Sequence, residues 1–142
     1  MNDLILMPDV ERLLSAWLRE QIELTDLTDD RIYTSVPSRP EFPLLRVYRL
    51  GGIPLLDQPL WIDDAFMQFD AWGGPKATAW EIAETTRALL ASRFVGVHPE
   101  GIVANVKLGE LRYEPDAEYT PAKPRYLFTA TIRVHPVVPI GS

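Results

Sequence analysis

The sequence predicts a two-layer α+β sandwich, with about five mostly antiparallel or mixed strands and two helices on one face, in the order α-β-β-β-α-β-β. Three observations carry this. Two segments place apolar residues at helical spacing on one side only. Several others are apolar or alternating at strand length and are bounded by Pro or Gly. Short connections favour antiparallel neighbours, and two one-sided helices can share a sheet face.

The first helix is expected over residues 8–22, where Val10, Leu13, Leu14, Trp17 and Leu18 form one stripe. Pro8 suits its first turn, and Asp9 and Glu11 complement the dipole there. Thr25 to Asp30 reads as a polar connection. Ile32 to Val36 is a short strand stopped by Pro37, and the run to Pro43 lacks three N–H donors. Leu44 to Leu50 is the second strand, and Trp61 to Trp72 the third. Gly73-Gly74-Pro75 breaks it, and a helix follows from Lys76 to Phe94. Its inner side is Ala79, Ile82, Ala83, Thr86, Leu89, Leu90 and Arg93; Thr78 and Glu81 match a capping box, and Gly96 is a stop. Ala104, Val106 and Leu108 alternate with Asn105 and Lys107 in the fourth strand, which bends at Gly109 and continues to Tyr113. The Pro-rich loop Glu114 to Lys123 leads to the last strand, where Tyr126, Phe128, Ala130, Ile132 and Val134 face the core and the intervening residues face water.

A chain of 142 residues makes one domain, 1–142, with a flexible C-terminal end at 136–142 expected. The 14 Lys and Arg against 20 Asp and Glu give a net charge of −6, which speaks against gripping nucleic acid by its phosphates. Zero cysteines exclude disulfides, thiolate zinc sites and Cys nucleophiles. Only two histidines are present, His98 and His135, each alone in sequence. No apolar run is long enough to span a bilayer and no signal peptide is evident, so a soluble cytosolic chain without a membrane role is expected.

Catalytic patterns are thin. Gly73 to Thr78 looks like a phosphate cradle at a helix start, but Pro75 stands where the P-loop needs Gly and removes an N–H. A turn and helix cap is the better reading. Asp64 and Asp70 share a strand face with Gln68, and Asp63 adjoins them; they read as a solvated strand face rather than an acid–base pair. No catalytic, metal or cofactor site follows, and no cofactor is expected. What stands out is apolar material in connections. Ile53, Leu55, Leu56, Leu60 and Trp61 crowd the arm between the second and third strands, and Tyr119 sits in the Pro-rich loop. Loops in water rarely carry so many large apolar groups, so these residues are the candidate interface between chains, the equal alternative being that the arm folds back over its own core.

One ordered set spans nearly the whole chain. After the first helix come Arg31-Ile32-Tyr33-Thr34-Ser35-Val36-Pro37 and Phe42-Pro43-Leu44-Leu45-Arg46-Val47. Phe66-Met67-Gln68-Phe69-Asp70-Ala71-Trp72-Gly73 then leads into Trp80-Glu81-Ile82-Ala83, and Pro124-Arg125-Tyr126-Leu127-Phe128 opens the run to His135-Pro136. In this order the chain resembles the tail terminator, or tail completion, proteins of long-tailed, non-contractile bacteriophages. The resemblance implies a structural protein with no active site, forming a closed ring, a homohexamer, at the head-proximal end of the tail. Its implied partners are other copies of itself, the tail tube protein and the head–tail connector or neck protein. DNA passes through the lumen without specific binding. The implied location is the virion, with assembly in the host cytoplasm. A head-side neck protein, or a small α+β hydrolase or nucleotide-binding protein, are the alternatives.

Overall fold

The computed structural model describes residues 4–54 and 62–137, with Ile53 and Pro54 described by their backbone alone. Among the described residues three helices and seven strands follow one another: α1 Val10–Arg19, α2 Ile22–Thr28, β1 Ile32–Tyr33, β2 Leu44–Pro54, β3 Asp63–Trp72, α3 Lys76–Arg93, β4 Gly96–His98, β5 Gly101–Leu108, β6 Arg112–Tyr113 and β7 Arg125–His135. The α+β sandwich is as expected, with one more helix and two more strands.

The expected polar connection after α1 contains α2. Leu24 and Thr28, one turn apart, are fully buried, and the Thr28 hydroxyl donates to the Leu24 carbonyl at 3.1 Å. One buried Leu and one back-bonded Thr hold seven residues helical against α3. The helix then ends on Asp29 in the left-handed region. Helix α1 is shorter than expected, because Glu20 already caps it. Asp9 is its N-cap, accepting from the Arg12 N–H at 3.3 Å.

Helix α3 begins at Lys76 behind Pro75 without a side-chain cap, so the expected Thr78–Glu81 capping box does not form. Gly73 lies so close beneath it that a Cβ there would come within 2.5 Å of the Ala79 nitrogen. Arg93, expected on the inner stripe, points outward to Glu23. The remaining inner residues of α3 are all buried.

The sheet order is β1-β2-β3-β7-β5-β4, with β6 also beside β7. The expected antiparallel pairs are present: β2 with β3, and β5 with β7. Sequence reading missed the central pair, in which β7 inserts beside β3 over its whole length, from Asp63 opposite Val134 to Trp72 opposite Arg125. Strand β1 is parallel to β2 and only two residues long. The bend expected at Gly109 separates β5 from β6, since Leu108 faces Ala130 whereas Arg112 faces Leu127, one residue more than β7 supplies.

The main core lies between the helices and one sheet face, while Leu44, Trp72 and Leu127 are buried on the other. On the helix side Leu45, Val47, Ala65, Met67, Phe69, Ala71, Phe128, Ala130, Ile132 and Val134 meet Leu13, Leu14, Leu18, Ile82 and Leu90. The rings of Phe69 and Phe128, directly paired across β3 and β7, stack at 4.6 Å and 6°. No described helix covers the opposite face.

Candidate functional site

That helix-free face carries charge in fixed pairs. Arg46 and Asp70 are cross-strand partners, and the Arg46 Nη2 donates to Asp70 Oδ2 at 2.5 Å. Gln68 donates to the other Asp70 oxygen at 2.8 Å, and Asp70 is fully buried. Asp64 is opposite Arg133, which grips both its oxygens at 2.8 and 2.9 Å. The arginine's hydrogen bonds hold the Asp64 carboxyl below the ordinary carboxylate range and raise Arg133. At the helix-side edge Arg49 clasps Asp63 in the same bidentate way, at 2.7 and 2.8 Å. All three carboxylates of β3 are therefore ion-paired. The expected sharing of a face by Asp64, Gln68 and Asp70 is present, but Arg133 favours the ionised form of Asp64. A general acid needs the opposite shift.

The other catalytic suggestions go the same way. Lys76 lies 4.2 Å over the Tyr113 ring. The His98 ring bonds the Phe94 carbonyl at 2.7 Å and packs among Phe94 and Trp17. Among the described residues, no group of His, Asp and Glu is placed to hold a metal ion. No described helix is long and apolar enough to cross a membrane.

Two of the interface candidates, Ile53 and Tyr119, fall at opposite ends of the sheet. Ile53 pairs with Asp64 near one end of β3, but its side chain is outside what the structure describes. Leu55, Leu56, Leu60 and Trp61 lie outside the described residues. Tyr119 belongs to the other end, where β3 finishes at Trp72 and β7 starts at Arg125. Ten residues of strand separate the two by about 30 Å.

The Tyr119 end is a braced prong. Asp116 is buried and accepts the Trp72 indole N–H at 2.9 Å and the Glu118 N–H at 3.1 Å. Asp116 and Lys123 exchange backbone hydrogen bonds at 2.8 and 3.1 Å, closing the loop's neck. Lys123 Nζ then sits 4.1 Å from the Phe42 ring centre and 5.1 Å from that of Tyr119, whose rings meet edge to face. Tyr119 stays partly exposed on this support. Sequence reasoning found Tyr119 but missed its anchor. It also missed the paired arginines, although Arg46 and Arg133 fall on the wet parity of strands facing Asp70 and Asp64.

The family model described as Tail completion protein gp17 matches residues 12–133. No curated protein matches the chain. Seven chains of solved structures do. One comes from a structure described as the virion of native gene transfer agent (GTA) particle, with a TM-score of 0.61, 15% identity, and coverage of 88% of this chain and 94% of that one. At that identity the likeness is one of fold.

Proposed function

The chain belongs to the tail completion protein gp17 family, and from that premise we propose that copies of it close into a ring, a homohexamer, that caps the head-proximal end of the tail tube. As a member it is a structural protein of the phage tail, a virion component and not an enzyme. The family match carries the reading, since it runs from α1 almost to the end of β7 and takes in the whole sheet.

The ring ends polymerisation of the tube and presents a surface to the connector, while DNA passes through its lumen. Two features of the protomer support this. Its two loop-bearing ends, about 30 Å apart, let one ring meet different partners above and below. Its net charge of −6, with arginines already paired to carboxylates, disfavours phosphate gripping and lets a duplex slide. Ile53, Leu55, Leu56, Leu60, Trp61 and Tyr119 are the proposed contacts, and assembly takes place in the host cytoplasm.

Electron microscopy of particles made without this protein tests the reading. Tails of uncontrolled length, detached from heads, are expected. Normal-length tails joined to heads would overturn it. Normal-length tails without heads would instead favour the head-side neck protein.

A further inference from the structure

One rung of paired residues crosses the sheet near the prong: Ile32, Leu45, Ala71, Tyr126 and Tyr113, in strands β1, β2, β3, β7 and β6. It spans about 19 Å, so its two ends lie on opposite flanks of the protomer at one height. At the β6 end, Lys76 sits 4.2 Å over the Tyr113 ring. Lys76, Trp80, Glu84 and Arg87 recur along α3 at helical spacing, so this contact fixes the flank that all four share. Trp80 is 49% exposed and Tyr113 37%. Glu84 is taken up by Arg87 at 2.8 Å and Glu114 by Arg112 at 3.3 Å, whereas Lys76 has no carboxylate partner among the described residues. This flank is aromatic and carries an uncompensated positive charge.

The β1 end has the opposite character. Helix α2 lies against the other flank of α3, where Thr85, Leu89 and Ser92 share a cavity wall with Glu23. From its C-terminus the chain passes through Asp29 and Asp30, both left-handed, and Arg31 into β1. Asp26, Asp29 and Asp30 are exposed. Arg31 reaches Asp29 at 3.6 Å and Glu41 at 3.8 Å, which leaves Asp26 and Asp30 without a cation among the described residues. The Arg31 guanidinium also donates to the Pro43 carbonyl at 2.8 Å, so this acidic corner is held in place. Corner and flank are different patches of opposite charge on one chain, the heterologous contact that closes rings. Because they stand at one height along the strands, joining them turns each copy without lifting it, as closure requires.

We propose that the flank formed by Lys76, Trp80 and Tyr113 in one copy packs against the acidic corner at Asp26, Asp29 and Asp30 in the next, with Lys76 facing the aspartates and Trp80 as the apolar anchor. This rests on the ring reading and specifies its joint. Charge reversal tests it, read by sedimentation velocity over a dilution series. Lys76→Glu and Asp26→Lys should each raise the half-assembly concentration about tenfold or more at low salt, because each sets like charges against one another across every joint. Added salt should narrow the difference from the native chain. The chain carrying both substitutions exchanges the signs across the joint and should assemble as the native chain does. Asp30→Asn, which suits the left-handed backbone there, should weaken assembly in the same direction. Trp80→Ala should weaken it by about tenfold or more while leaving the protomer's thermal unfolding unchanged. Rings that form normally in every single variant, or single variants whose defect the double substitution fails to repair, would overturn this joint and leave the ring reading standing. A native chain that stays monomeric in solution and on isolated tails would sink the ring reading and this joint together.

Discussion

At the scale of single residues, the helix-free face is organised by which partner each carboxylate receives. Asp70 is fully buried and holds both Arg46 and Gln68, whereas the Arg46 side chain is 31% exposed. Removing a buried partner costs more than the pair contributes, because the remaining charge is left without compensation. Since Arg46 still reaches water, Asp70→Ala should destabilise the protomer by about 2–3 kcal/mol, at the low end of that effect. Urea unfolding measures it as a lower midpoint at unchanged slope. Asp64 makes a different prediction. Arg133 holds its folded-state pKa below the ordinary 3.8. Its contribution is therefore complete above that value and is lost as acid takes the pH down through the lowered one. The melting-temperature gap between native protein and Arg133→Gln should be constant above about pH 5 and shrink toward zero in stronger acid. A gap that widened in acid would mean that Arg133 stabilises the fold through something other than this carboxylate.

At the scale of elements, β3 and β7 are the frame on which everything else hangs. Phe128 stacks on Phe69 in the centre of that frame, so Phe128→Ala should cost about 3–5 kcal/mol and unfold the protomer rather than merely disassemble it. Circular dichroism and sedimentation on one sample separate the two outcomes. Strand β7 was legible because its alternation from Tyr126 to Val134 is unbroken and one face is buried. The central position of β7 was not, since a long connection lets a strand insert anywhere in a sheet, and no local pattern tells it where. Helix α2 escaped because Thr25-Asp26 and Asp29-Asp30 read as turn chemistry, while Leu24 and Thr28 give only one helical repeat. Strand β1 was expected, though longer, and β6 as the continuation beyond Gly109, whereas the three-residue β4 is too short to show any period. The interface candidates were found as apolar residues in loops, but composition does not place them. Tyr119 is braced by Asp116 and Trp72, which are 44 residues apart in sequence. Only the fold brings such partners together.

At the scale of the whole molecule, the protomer has two working ends on one stiff sheet, and each can be damaged separately. Between them run ten-residue strands with continuous pairing, so a change at one end has no soft segment through which to reach the other. Tyr119→Asp puts a charge on the braced prong without removing Asp116, Trp72 or the neck of the loop. Trp61→Asp puts one on the segment between Pro54 and Asp63. Neither should lower the protomer's melting temperature by more than a few degrees. Under the proposed reading the two variants break different joints: one yields overlong tails, the other tails of normal length that fail to attach to heads. Tail-length distributions and the fraction of headed tails, counted from micrographs of each variant, measure the two defects independently. Which variant gives which defect assigns the ends to tube and connector. An identical defect from both would show that the ends act on one partner, and a collapse of folded protomer with Trp61→Asp alone would place that arm in the core instead of at a joint.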